Sequence, residues 1–349
     1  MSHSDPRAAR LALALDGGPP QGRVAAFAPR AGEDISALRA DAEVITGFFP
    51  DAEAFAARGH VTRVQPEGRY GMSLVCLPRA RAAARDLVAR ALAVTDGPVL
   101  VDGQKTDGIE TLLRAARARV TVPEPVAKAH GKLFRLEGAD RAAFADWHAA
   151  PRRIAGGFVT RPGVFSADGP DPGSQCLDAA LPDRLPPRVA ELGAGWGWLA
   201  ARLLARAGLE ELHLLEADHA ALDCARANLS DSRLRFHWAD ATRFAPERPF
   251  DAVITNPPFH RDRTGDPGLG AGFIAAAARM LSPTGVLWLV ANRHLPYEAP
   301  LAAVFREIDE RPGTRAYKVF RAARPVAARD MTAGRTAPRT ARRRPARTA

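Results

Sequence analysis

The sequence predicts an α/β protein of two units, the second holding a doubly wound parallel sheet with helices on both faces. Three observations carry this. Strand-like apolar runs alternate with helix-period segments from Arg188 to Ala291, and a glycine-rich turn, Gly193-Ala194-Gly195-Trp196-Gly197, joins the first run to the first helix. The length of 349 residues suits two domains of about 100–200 residues each. Alternation of this kind marks a parallel sheet, because parallel neighbours need a crossover and the crossover helix covers a sheet face.

Residues 1–150 read as a smaller mixed α/β unit, clearest in a helix near Arg79–Ala93, a strand over Val99–Val101 and a helix near Ile109–Ala118. Residues 151–162 form a linker, where Pro, Arg and Gly accumulate and apolar periodicity lapses. The second unit spans residues 163–324 and becomes regular at Arg188. A strand over Arg188–Leu192 turns through the glycines into a helix over Trp198–Ala207, with Leu199, Leu203 and Leu204 on one face and Gly208 as its C-cap. A strand over Leu212–Leu215 precedes a helix striped by Leu222, Ala225 and Leu229. Strands over Leu234–Trp238 and Phe250–Thr255, a helix near Gly272–Leu281 and the apolar strand Val286–Ala291 complete the series. No internal repeat is evident. Residues 325–349 are rich in Arg, Thr, Ala and Pro and are expected to form a disordered basic tail.

Composition excludes several classes. Hydrophobic residues make up 46% and charged residues 25%, a globular balance that rules out wholesale disorder or collagen. The run Val286–Ala291 is far shorter than the ~20 residues that span a bilayer, and Leu11–Leu15 is too short for a secretory core. A cytoplasmic protein without membrane attachment is expected. Cys76, Cys176 and Cys224 lie far apart with no Cys-x-x-Cys spacing, so buried thiols are expected, with no disulfide framework and no metal site. Of the net charge of +10, seven arginines and one aspartate in residues 329–349 supply +6, leaving the body only mildly basic. Arginine abundance alone is thus a weak argument for a nucleic-acid partner.

The glycine turn lies where open α/β sheets meet ligands, at a strand's carboxyl end and a helix N-terminus. Gly193, Ala194, Gly195 and Gly197 would let the backbone approach a cofactor closely. Glu216 ends the second strand, 19 residues past Gly197, where a carboxylate can accept from both hydroxyls of a ribose. Asp240 ends the third, within reach of an adenine amine. The dinucleotide fingerprint wants a small residue at its sixth position, counted from Gly193 as the first; Trp198 stands there, which argues against a pyrophosphate and leaves S-adenosylmethionine.

The fourth strand runs into Asn256-Pro257-Pro258-Phe259. Prolines fix φ and carry no N–H, so the Asn256 side chain and the Pro257 carbonyl can both face a substrate as acceptors. The lone pair of a nucleobase amine is delocalised into its ring, and holding its two hydrogens on those acceptors releases the pair for attack on a methyl group. Phe259 offers a flat face on which an extruded base can stack.

These motifs resemble those of class I S-adenosylmethionine-dependent methyltransferases acting on exocyclic amines. Pro162-Gly163-Val164-Phe165-Ser166, Asp171-x-Gly173-Ser174, Val290-Ala291-Asn292 with Leu295-Pro296-Tyr297, and Tyr317-Lys318-Val319-Phe320-Arg321-Ala322 more narrowly resemble the ribosomal RNA guanine-N2 methyltransferases of the RsmC/RlmG type. The resemblance implies a Rossmann-like catalytic domain preceded by a degenerate copy of the methyltransferase fold, which Leu77-Pro78-Arg79 and Val101-Asp102-Gly103-Gln104-Lys105 match loosely. It implies S-adenosylmethionine as cofactor, with the methionine moiety at Gly193–Gly197, ribose at Glu216, adenine near Asp240, and Phe165 helping to close the pocket. The target amine would lie at Asn256 and Pro257, the partner would be ribosomal RNA or a ribosomal subunit, the small subunit favoured, and the protein a monomer. His260 is read as structural. The first unit has no matching glycine turn and is expected to bind RNA or support the fold without a cofactor of its own. The same amide chemistry serves adenine N6 or a protein glutamine amide, and a lapsed enzyme would be a non-catalytic RNA-binding module. Phe259, where those other amine methyltransferases commonly have Tyr, favours guanine; Gly195, Glu216 and Asn256 favour catalysis.

Overall fold

The computed structural model describes residues 5–18, 22–258 and 267–326. The first domain opens with helix α1 (Pro6–Ala14), whose N-cap Asp5 accepts from the Arg7 amide at 2.9 Å. Strands β1 (Val24–Phe27), β2 (Glu43–Ile45), β3 (Thr62–Arg63), β4 (Met72–Cys76) and β5 (Pro98–Gln104) are parallel neighbours. Strands β6 (Val126–Lys128) and β7 (Gly131–Glu137) add an antiparallel edge, giving the order β3-β2-β1-β4-β5-β7-β6. Every residue of β1 and β4 is buried, as strands covered on both faces must be. Alternation then divides them: Ala25, Phe27 and Val75 face Val88 and Leu92 of α3 (Arg81–Val94) and Leu112 of α4 (Ile109–Arg117), while Val24, Ala26 and Leu74 face Leu11 of α1 and Phe55 of α2 (Phe49–Ala57). Strands β2, β3 and β6 have only two or three residues each, too few for alternation to show in sequence.

The segment expected as a linker folds into a hairpin, β8 (Arg152–Arg153) with β9 (Val159–Thr160). Asn228 ties it down, accepting from the Val159 amide at 2.6 Å and donating to the Val159 carbonyl at 2.9 Å. The second domain follows as α5 (Pro172–Ala180), β10 (Arg188–Leu192), α6 (Trp198–Leu204), β11 (Glu211–Glu216), α7 (His219–Asn228), β12 (Leu234–Trp238) and β13 (Phe250–Thr255). It ends with α8 (Pro267–Met280), β14 (Leu281–Asn292), α9 (Glu298–Val304), β15 (Phe305–Arg311) and β16 (Tyr317–Pro325). Its sheet order, β12-β11-β10-β13-β14-β16-β15, repeats that of the first domain strand for strand, antiparallel edge included. The repeat is one of topology; many unrelated apolar sequences satisfy the same buried strands and crossovers. Ala190 and Leu192 of β10 pack towards Ile274 and Ala277 of α8, and Val189 packs towards Leu177 of α5 and Leu203 of α6.

Several boundaries differ from expectation, among them the start of α8, at Pro267 and not near Gly272. Helix α6 ends at Leu204, because the Arg206 guanidinium folds back onto the carbonyls of Asp178 and Pro182 and the chain turns towards Gly208. Strand β14 begins at Leu281 because Phe250 pairs with Leu281 across an irregularity before Ala252 pairs with Val286. The three cysteines are free and buried.

The domains meet through the turn Thr46–Phe49, which lies against the tips of β11 and β12. The Gly47 carbonyl accepts from the His219 amide (2.8 Å) and the Trp238 indole (3.1 Å), and the Phe49 amide donates to Ala217 O (2.9 Å). The Phe49 and Trp238 rings meet edge to face at 5.2 Å, and Arg243 pairs with Glu53.

Candidate active site

Strand order reverses between β10 and β13, so the loops leaving their carboxyl ends flank a crevice. The glycine turn leaves β10 there. Gly195 and Gly197 have φ of +57° and +87°, a region that L side chains rarely adopt. A Cβ on Gly197 would lie 2.8 Å from Leu229, whereas one on Gly195 would meet nothing within 4 Å. The turn is therefore tight against α7 on one side and open towards the crevice on the other.

Glu216, at the tip of β11, closes one wall. Its carboxylate accepts from the Gly195 amide at 2.7 Å and from the Asp218 amide at 2.8 Å, which binds the glycine turn to the neighbouring strand. Burial pushes its pKa up to about 7, opposed by those amides. Glu191, two residues before the turn, is 3% exposed, and burial, with the Glu216 charge as a second cause, raises its pKa well above the usual carboxylate value. Its Oε2 has no hydrogen-bond partner among the described residues. Asp240, beyond β12, accepts from the amide and hydroxyl of Thr242 through Oδ1 at 2.8 and 2.6 Å.

Asn256 leaves β13 beside the glycine turn, with the Pro257 ring buried behind it. Its Nδ2 donates to Asp171 Oδ2 at 2.7 Å and to Ser174 Oγ at 2.9 Å, and its Oδ1 is shielded from solvent with no partner among the described residues. Thr255, fully buried, donates to the Leu192 carbonyl at 2.9 Å and so joins the two loops at their roots. The structure thus brings Gly193, Ala194, Gly195, Gly197, Glu216 and Asn256 to one crevice. Phe165 stands apart: the residue is 65% exposed, although Val164 beside it is buried and the Ser166 carbonyl accepts from the Trp196 indole at 3.2 Å. Phe259 and His260 lie outside the described residues. Sequence reasoning gave no role to Glu191, Asp171 or Ser174. The last two stand in a motif the sequence does display, but only the fold shows that it lies beside Asn256.

A doubly wound sheet with a glycine turn at its switch point, an acid at the tip of the next strand and an Asn-Pro-Pro turn after the fourth defines a class I S-adenosylmethionine-dependent methyltransferase. Residues 155–321 match the methyltransferase small domain family. A ribosomal RNA small subunit methyltransferase C of Alcanivorax borkumensis is 31% identical over 228 residues, 63% of this chain and 69% of its own, and one of Shewanella sp. (strain MR-4) is 27% identical over 305 residues, 82% of this chain and 87% of its own. A solved T. thermophilus 16S rRNA N2 methyltransferase (RsmC), in complex with AdoMet and guanosine, superposes with a TM-score of 0.69 at 25% identity, covering 90% of this chain and 92% of that one. The chain belongs to the ribosomal RNA small subunit methyltransferase C family. Among the described residues no helix is long and apolar enough to cross a membrane, and no group of three or more His, Cys, Asp and Glu could hold a metal ion.

The residues present fit the cofactor. Gly195 is open where a side chain would obstruct an approaching ligand, and Glu216 offers acceptor capacity to a diol. A ribose held on Glu216 would favour the ionised carboxylate, so cofactor binding there should release a proton, and affinity should rise from about pH 6 to about pH 8, either side of the Glu216 pKa of about 7. Titration calorimetry in buffers of different ionisation enthalpy should detect that proton, and Glu216→Gln should abolish it. Stability of the unliganded protein carries the opposite sign. A native carboxyl titrating at about 7 against an ordinary 4.5 holds a proton the unfolded chain has lost, so its contribution is full below 4.5 and vanishes as pH rises to about 7.

Proposed function

We propose that this enzyme methylates the exocyclic N2 amine of a guanine in small-subunit ribosomal RNA, and does so in the cytoplasm. The observation that carries this reading is the shielded, unpartnered Asn256 Oδ1 beside the glycine turn. Bound S-adenosylmethionine supplies a methyl group made electrophilic by its sulfonium charge. Asn256 Oδ1 accepts one hydrogen of the target amine and the Pro257 carbonyl the other, which turns the nitrogen lone pair out of conjugation and towards the methyl carbon. As the new C–N bond formed and the methyl–sulfur bond broke to leave a neutral thioether, the amine would become acidic and pass its proton to water, so no strong base is required. Phe259 stacks on the extruded base.

The first domain is read as an RNA-positioning and supporting unit without a cofactor. Its β1 continues into Ala28-Pro29-Arg30 where the second domain has its glycine turn. Arg7 of α1 lies over the carboxyl ends of β4 and β5, paired with Asp102 at 2.8 Å and with Glu33 at 2.9 Å, which supports a site filled by protein. The test is nucleoside mass spectrometry of small-subunit ribosomal RNA incubated with the enzyme and S-adenosylmethionine. N2-methylguanosine is expected; N6-methyladenosine in its place would refute the guanine assignment.

A further inference from the structure

The structure assigns Asp171 and Ser174 as positioning residues that set which way the Asn256 amide faces, an assignment that rests on Asn256 being the amine clamp. An amide side chain is nearly symmetric in shape, and a half-turn exchanges its acceptor for a donor. A donor aimed at the target amine would oppose the hydrogens that the clamp must hold. Something must therefore choose the orientation, and the choice is made on the far side of the amide. A carboxylate can only accept, and Asp171 Oδ2 stands 2.7 Å from Nδ2, with Ser174 Oγ 2.9 Å from the same atom. Turning the amide over would set its oxygen against the Asp171 carboxylate at that distance, two acceptors with no hydrogen between them. The orientation that turns Oδ1 away from the pair is the one the pair enforces.

The supporting backbone is built for this contact. Asp171 is the N-cap of α5, and the oxygen that holds Asn256 also accepts from the Ser174 amide at 2.9 Å, so one atom caps the helix and orients the clamp. A Cβ on Gly173 would lie 2.9 Å from Asp171 Oδ2, 3.1 Å from Tyr317 Cε1 and 3.4 Å from Asn256 Nδ2, so position 173 leaves no room for a side chain between the partners.

The cap and the orienting role can be separated. Asp171→Ser keeps an N-cap of similar strength but supplies a shorter hydroxyl that can donate as well as accept. Ser174→Ala keeps the backbone donor and a good helix former. In single-turnover assays at saturating S-adenosylmethionine and RNA, the combined Asp171→Ser/Ser174→Ala variant should lose roughly 100-fold in rate, a loss typical of a mispositioned reacting group. Melting temperature and cofactor affinity should stay near wild type. Ser174→Ala alone should lose less, and it serves as the test if the double variant does not fold. Asp171→Asn, which can place an amide oxygen where Oδ2 now sits, should recover most of the rate. Full activity in the double variant, while Asn256→Ala is crippled, would overturn the assignment and leave the amine clamp standing. A loss that follows melting temperature, or that appears in cofactor affinity alone, would make the pair merely structural. An active Asn256→Ala would remove the clamp itself, and this assignment with it.

Discussion

Asn256→Ala is expected to slow methyl transfer by roughly 100- to 1,000-fold, the range seen when one preorganised hydrogen-bonding group is removed from a transition state. The loss should fall on the catalytic constant, because the acceptor matters most as the amine rehybridises, and groups engaged chiefly in the transition state affect turnover more than ground-state binding. Cofactor affinity should hardly change: Glu216 and the glycine turn are tied to each other through the Gly195 amide, not to Asn256. Single-turnover kinetics with saturating cofactor, paired with calorimetry, measures both quantities. Turnover near wild type would end the amine-clamp reading. A parallel loss of cofactor binding would point instead to collapse of the crevice.

Asp102→Ala should cost about 3–5 kcal/mol of stability, the usual penalty for leaving a buried charge without its partner. Asp102 and Arg10 are both fully buried, with Arg10 Nε and Nη2 donating to the carboxylate at 2.6 and 2.9 Å, and Arg7 approaches it at 2.8 Å. Removing the acid strands the buried Arg10 guanidinium, while Arg7 keeps Glu33 at 2.9 Å. In a domain of this size that is a fall in melting temperature of roughly 6 °C or more, visible by calorimetry. Replacing Arg7, Arg10 and Asp102 together by apolar residues of similar volume should recover much of the loss, since the intact cluster itself has to offset its own desolvation. An unchanged melting temperature for Asp102→Ala would show that water reaches the cluster.

Legibility followed the length and regularity of each element. Strands over Arg188–Leu192, Leu234–Trp238 and Phe250–Thr255 were readable to the residue, because each is a short strand-like run, continuous or alternating, that ends before a turn signal. In the first domain β2 has three residues and β3 two, too few to show a period, and Pro151–Pro162 reads as a connector because nothing local reveals that Asn228 will fasten it. The glycine turn, Glu216 and Asn256 were visible as strand-end residues, since position on a strand tip is a matter of sequence order alone. The contact between Asp171 and Asn256, 85 positions apart, depends on three strand-to-strand connections and could be found only in three dimensions. The shared strand order of the two halves, which the family resemblance implied as a degenerate copy of the fold, shows in no repeat of residues, because it lives in the connections.

The turn at Thr46–Phe49 makes the second domain a poor candidate for life alone. Excised, it would carry to the surface the Trp238 ring that Phe49 now covers, and the indole N–H would keep Ala217 O, at 2.9 Å, while losing Gly47 O. The uncovered patch lies on the strand tips that carry Glu216 and, two residues past Trp238, Asp240. A ligand seated against those tips therefore also braces the seam, and heat or protease should find the two halves opening as one cooperative unit, later in the presence of S-adenosylmethionine than in its absence.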